Sequence, residues 1–393
     1  MLTHSPPLPL VIDYESTDIT AEDEEAINLA LAQRDRVRRI RFNLPITKLQ
    51  KLIMAIDGEY PILEYLILWD PPGDKSTVLI LPETLEAPNL HHLAIDCSGS
   101  TLMRFRLLTT AVGLVALNLG FYHPSTYFQP TVLLQSLSLM PQLEMLLIFF
   151  YFAVPNCDVE RQLMRTPITT HVTLPNLRSF SLQTVSAYSE AVLSRITASR
   201  LEHFQICYSK QLTFSVPQLV QFMGRTESLR FESLDHAVFE FNSGRVYMGV
   251  YTSETNMLYA AFSVNVNCWH LDWQVSSMAQ ISNALSQIFS AVEHLSLLHH
   301  IHSQSSEEHN VVERTEWRKL LRSFSKVKTL DVDDGLVREL SRCLRLEDGE
   351  HPLELLPELQ ELKYSGSDDA DDVFIPFIDA RQNAGRPVTL SEW

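Results

Sequence analysis

Apolar positions along this chain fall into one short pattern: an apolar residue, Pro, any residue, and then Leu-x-x-Leu-x-Leu. Its clearest copy is Leu174-Pro175-Asn176-Leu177-Arg178-Ser179-Phe180-Ser181-Leu182. The pattern returns as Tyr60-Pro61 with Leu63, Leu66 and Leu68, and as Ala87-Pro88 with Leu90, Leu93 and Ile95. Met140-Pro141 carries Leu143, Leu146 and Ile148, and Leu356-Pro357 carries Leu359, Leu362 and Tyr364. Copies without Pro have the anchors Val37/Ile40/Phe42, Leu114/Leu117/Leu119, Leu201/Phe204/Ile206, Val292/Leu295/Leu297 and Val327/Leu330/Val332, with shorter forms at Leu229/Phe231 and Leu271/Trp273. Alternation within each L-x-L core predicts a strand with every second side chain turned inward. Several intervening stretches have helical spacing instead. Thr47 is placed to cap a helix carrying Leu49, Leu52, Ile53 and Ile56, with Gly58 placed to end it, and further helices are expected to open at Pro217 and Thr315.

Counted between middle anchors, the first steps run from 24 to 29 residues and the widest, from Leu229 to Leu271, is 42. Most lie in or near the spacing of leucine-rich repeats. One strand and one helical face per unit cannot bury themselves, but stacked units bury both. The predicted fold is therefore α/β, a leucine-rich-repeat solenoid (horseshoe) with a parallel inner sheet and outer helices. Within the wide step, the alternation of Ala237 to Phe241, the turn residues Asn242-Ser243-Gly244, and Val246, Met248 and Val250 predict one β-hairpin insertion. The expected organisation is a single solenoid over 1–393: an N-terminal cap over 1–33, regular repeats over 34–235, the insertion over 236–266, repeats over 267–365 and a C-terminal cap over 366–393. In that cap a helix containing Pro376 should precede an edge strand at Pro387 to Leu390.

Composition narrows the classes. A hydrophobic fraction of 45% over 393 residues can fill a continuous core, whereas 12 Gly are few for a nucleotide-cradling fold. Five cysteines, widely spaced and odd in number, show no disulfide framework or zinc motif. No signal peptide or membrane span is evident, so the expected location is cytoplasmic or nuclear. A net charge of −17 argues against nucleic acid as the partner. Locally, Arg34 to Arg41 form a basic band after an acidic helix with Glu22 to Glu25, the pattern of a solvated ion-pair surface.

Motifs for phosphate, dinucleotide, hydrolase or zinc chemistry are missing, and no cofactor is expected. Asp331-Val332-Asp333-Asp334-Gly335 starts like a calcium loop but has its Gly one position early and lacks the closing Glu. The histidines His294, His299, His300, His302 and His309 read as a solvated linker rather than a metal site. The chain is expected not to be an enzyme, the remote alternative being a hydrolase whose site is assembled only in space.

Residues between the core leucines should face the inner surface of the sheet. Most are polar, but Tyr65, Ile67 and Trp69 in one strand and Met145, Leu147 and Phe149 in another place large apolar groups where water is expected. Between them Ala116, Asn118 and Gly120 would form a small-residue floor. With His92 and His203, each just before a core anchor, these residues are the candidate partner-binding set. The alternative is that the Pro-rich start, or the stretch from Phe150 to Pro155, folds over them. His270 and His294 occupy the same slot and could meet if their strands are adjacent, the other reading being exposed, unpaired imidazoles.

Several segments together resemble a large fungal family of F-box/leucine-rich-repeat proteins: Asp35-Arg36-Val37-Arg38-Arg39-Ile40, Met140-Pro141-Gln142-Leu143-Glu144, Leu174-Pro175-Asn176-Leu177, Leu271-Asp272-Trp273-Gln274-Val275, and the tail from Pro376 to Leu390. The resemblance covers nearly the whole chain. It implies a substrate-recognition component, in which the F-box holds the adaptor of a cullin-RING ubiquitin ligase and the repeats hold the protein to be modified. In that family a helical F-box normally precedes the repeats. Here repeat-like sequence begins at Leu10/Ile12, and Leu81-Pro82-Glu83-Thr84-Leu85, which resembles an F-box opening, sits within the repeats. A repeat scaffold that binds a protein without recruiting a ligase is the alternative.

Overall fold

The computed structural model describes residues 8–70, 78–97, 100–102, 106–124, 127–152, 155–209, 211–226, 229, 234–252, 260–300, 312–347, 349–365 and 371–392. They form two compact units, Met1–Glu202 and His203–Trp393.

The first unit begins with β1 (Leu10–Glu15), α1 (Ala21–Leu31), β2 (Val37–Asn43), α2 (Ile46–Ile53), β3 (Tyr65–Trp69), β4 (Val78–Ile80), β5 (His92–Asp96) and β6 (Ser100–Leu102). It continues with α3 (Arg106–Thr110), β7 (Ala116–Phe121), α4 (Pro130–Leu137), β8 (Met145–Phe150), α5 (Asn156–Arg165), β9 (Val172–Thr173), β10 (Ser179–Thr184), α6 (Ser186–Leu193) and β11 (Ile196–Thr197). Its main sheet has the order β1-β2-β3-β5-β7-β8-β10, and every neighbouring pair is parallel. Equivalent anchors meet across this sheet: Ile40 pairs with Leu66, Leu66 with Leu93, Leu93 with Leu117 and Leu117 with Leu146. All are at most 1% exposed. Each such side chain contributes roughly 1.5–3 kcal/mol of apolar burial, which holds the stack together.

The Pro motif is a turn that delivers the chain into each strand. Tyr60, Ala87, Met140 and Leu174 accept hydrogen bonds from the amides of Leu63, Leu90, Leu143 and Leu177 at 3.1–3.3 Å. Pro stands at the second turn position, where its fixed φ favours the bend. In two copies the next residue is Asn, and it reaches back one repeat: Asn89 donates to the Pro61 carbonyl at 2.6 Å and Asn176 to that of Pro141 at 3.4 Å. The outer layer is less uniformly helical than the spacing predicts. Between β3 and β5 the described residues include β4, which pairs in parallel with β6, and β9 pairs with β11 in the same way. Pro45 rather than Thr47 is the N-cap of α2, and Thr47 lies in its first turn. The basic band resolves into ion pairs, Arg38 with Glu64, Arg39 and Arg41 with Asp13, and Arg41 with Glu15.

The second unit runs β12 (His203–Ser209), α7 (Pro217–Arg225), β13 (Leu234–Asn242), β14 (Arg245–Thr252), β15 (Phe262–Asn267), α8 (Leu271–Ala284), α9 (Ser286–Phe289) and β16 (His294–His300). It ends with α10 (Arg314–Leu321), β17 (Thr329–Val332), α11 (Asp334–Leu344), β18 (Glu361–Tyr364), α12 (Asp371–Asn383) and β19 (Thr389–Glu392). Its sheet order is β12-β15-β14-β13-β16-β17-β18-β19. The expected hairpin is β13–β14, and β15 extends it into a meander. Only β14 runs against the rest: β15 is parallel to β12, and β13 is parallel to β16. Leu271 and Trp273, read as a strand, instead open α8. That strand slot is filled by β15, and Val275, Met278 and Ile281 give the segment a buried helical stripe. Gln274 on α8 donates to the carbonyls of Asn242 at 2.6 Å and Cys268 at 2.9 Å, tying the hairpin turn to the helix start. Phe231, His302, His309 and residues 366–370 lie outside the described residues.

Candidate functional site

Strand alternation in the first unit turns one set of side chains toward the core and the other outward. On β3, Leu66 and Leu68 are buried while Tyr65, Ile67 and Trp69 are half-buried; on β8, Met145 is exposed while Leu147 and Phe149 are half-buried. Register aligns these residues in three rows. Tyr65, His92, Ala116 and Met145 make the first, Ile67, Ala94, Asn118 and Leu147 the second, and Trp69, Asp96, Gly120 and Phe149 the third. β3 and β8 are separated by three strand spacings, about 14 Å. The result is a groove with apolar walls on β3 and β8 and a floor of small and polar residues on β5 and β7.

Both walls are braced. Tyr65 stacks on His92 with ring centroids 4.5 Å apart and planes within 5°. The guanidinium of Arg39 lies 5.7 Å from the Tyr65 ring, and that of Arg41 lies 5.4 Å from Trp69. Burial, followed by the charge of His91, pushes the His92 imidazole below its ordinary range, so it is neutral at pH 7. On the other wall, Tyr151 stacks on Phe149 at 6.0 Å and on Tyr122 at 4.2 Å. Tyr122 and Tyr151 enlarge the aromatic wall and did not emerge from the repeat pattern, since both stand beyond their strands. The aromatic runs Phe121-Tyr122 and Phe149 to Phe152 were the available signal. Phe150 and Phe152 turn into the core and pack on each other at 5.8 Å, with Phe150 also against Tyr188, so they do not lie across Phe149. The Pro-rich start over 1–7 lies outside the described residues.

The floor carries the polar chemistry. Tyr122 donates to Asp96, yet burial, with the Asp70 carboxylate nearby, raises the Asp96 acid above its usual range. Asp96 Oδ1 and Asn118 Oδ1 are buried and have no hydrogen-bond partner. A side chain at Gly120 would collide with Asp96 Oδ1, so glycine is what allows that carboxylate to lie across the floor.

His203, also in the candidate set, opens β12 in the second unit, where its Nδ1 is 3.3 Å from the Ala260 carbonyl oxygen. The corresponding strand positions of the second unit are more polar, with Gln205 aligned to Ser263 and Cys207 to Asn265, and Ser263 and Asn265 are buried. Burial pushes the Cys207 thiol up to about 12, so it stays protonated at pH 7. His270 and His294 are not neighbours. His294 stacks on His236 at 4.3 Å, while His270 precedes α8 and meets Trp273 edge-on at 4.6 Å. The cause is the meander, which puts β13 beside β16. Asp333, in the calcium-like segment, is the N-cap of α11. Among the described residues no three His, Cys, Asp or Glu side chains are grouped to hold a metal ion. Nor, among them, is any helix long and apolar enough to cross a membrane. All five cysteines are unbridged.

No protein-family model matches the chain, and no curated protein matches it. Among solved structures, the leucine-rich repeat-containing protein LegL7 from Legionella pneumophila aligns over 96% of this chain and 99% of its own, at 11% identity and a TM-score of 0.31. That correspondence is too loose to bear on function. The repeat architecture described above rests on this chain's own strand register and stacked anchors.

Proposed function

We propose that the chain is a non-enzymatic protein-binding repeat module that holds its partner on the inner face of the first unit. The observation that carries this reading is the pair of apolar walls, Tyr65/Ile67/Trp69 and Met145/Leu147/Phe149, standing outside the core on either side of a small-residue floor. Aromatic side chains flanking a recess are what binding hot spots use. We further propose, from the resemblance of the repeat and tail segments, that the bound protein is a substrate for ubiquitination and that the chain is related to F-box subunits of cullin-RING ligases.

Affinity capture from a cell extract with the proteasome inhibited tests both levels. Wild-type chain should enrich one protein that the Trp69→Ser/Phe149→Ser variant fails to retain, and the variant should be more soluble. Equal recovery by the two chains would refute docking on this face. Recovery of the adaptor and cullin alongside supports the ligase reading; a face-dependent partner without them leaves a scaffold that only binds.

A further inference from the structure

The third row of the groove is unbalanced in charge. Arg39 and Arg41, basic groups of the same face, are already engaged by Asp13 and Glu15. Among the described residues Asp96 has no cation, and its electrostatic neighbours there are the neutral Tyr122 hydroxyl and the Asp70 carboxylate. Burial and Asp70 both disfavour its charge, so at pH 7 the carboxylate weakens the fold that holds it. Natural chains keep such groups where function needs them. Beside it, Asn118 Oδ1 is a second acceptor without a donor. With Asp96 it gives the floor, among the described residues, acceptors and no donor to match them. Trp69, in register beside Asp96, already draws the Arg41 guanidinium to its ring at 5.4 Å, which shows that this wall attracts positive charge, and Phe149 closes the row on the far side of Gly120. The wall strands are about 14 Å apart, so a single inserted side chain can reach the floor between them.

We propose that the inner face of the first unit binds a segment of its protein partner through a basic side chain, arginine or lysine, seated between Trp69 and Phe149 with its charge against Asp96. This rests on the docking reading above and specifies its chemistry. A cation placed there offsets the Asp70 repulsion and the cost of burying the carboxylate.

The probe is a pool of random linear peptides displayed on phage and selected on the immobilised full chain. Selected peptides are then titrated by calorimetry against wild type, Asp96→Asn and Trp69→Ser. The expected peptides carry Arg or Lys among apolar residues, and replacing that residue with a neutral one of similar length weakens binding about tenfold or more. Asp96→Asn should weaken it comparably while melting no lower than wild type at pH 7, because the amide oxygen still accepts from Tyr122. Peptides that depend on Trp69 but ignore Asp96→Asn, or that lack a basic residue, overturn the cation and leave docking on this face intact. If no selected peptide responds to Trp69→Ser, both readings fail.

Discussion

Arg381 is wholly buried on α12, where its guanidinium donates to the carbonyls of Leu356 at 3.3 Å, Pro357 at 3.1 Å and Leu359 at 3.0 Å. Those carbonyls belong to the last apolar-Pro turn, in which Leu356 takes a left-handed φ of 47°. One side chain thus satisfies this last bend, a task that Asn89 and Asn176 perform for the Pro61 and Pro141 carbonyls of earlier turns. Arg381→Met should cost about 3 kcal/mol or more in urea denaturation, since it strands buried acceptors. Arg381→Lys should restore little, because an ammonium cannot span the positions a planar fork reaches. The sequence displayed this arginine only as part of a recognisable tail; nothing in its local pattern signals burial. The wall residues were legible, because strand alternation assigns each side chain a face. The state of Asp96 was not, as it depends on Tyr122, Asp70 and Gly120 meeting across three chain segments.

Among the elements, strands with paired anchors and a preceding turn were readable, and their register follows from the anchors alone. The error at Leu271 shows the limit of a three-residue signature: an L-x-L match is the same at the start of a helix as in a strand until the neighbouring slot is known to be filled. Helix α10 and the glutamates Glu347, Glu350 and Glu354 show another kind of contact that spacing conceals. Arg314 pairs with Glu350 at 2.5 Å and Glu347 at 3.0 Å, and Arg318 with Glu354 at 2.9 Å. The Arg314 hydrogen bond, the Glu347 amide and the Arg318 charge hold the Glu350 carboxyl down at about 2. A carboxyl with a depressed folded pKa adds stability above its ordinary value, and that stability is lost as pH falls through the folded pKa. Glu350→Gln should therefore lower the melting temperature at pH 7, with the gap to wild type closing between pH 4.5 and about 2. A constant gap across that range would show that Glu350 acts through packing alone.

For the whole molecule, a net charge of −17 gives any basic partner a long-range attraction that acts before contact. Association with a basic peptide selected on this chain should slow by about tenfold between ~0.01 M and ~1 M salt, as the screening length falls from ~30 to ~3 Å. Stopped-flow mixing reads this directly, and a salt-independent rate would mean that only local contacts guide the encounter. The meander of the second unit has a consequence for how such a chain changes length over evolutionary time. Since β12 and β16 run in the same direction and α8 crosses back over β14 and β15, the segment from α7 through β15 is a detour that leaves and rejoins the repeat in phase. Homologues are expected to gain or lose it as one cassette, verifiable by aligning relatives, whereas loss of a single strand would deliver the chain to the wrong edge of the sheet and put every later repeat out of step.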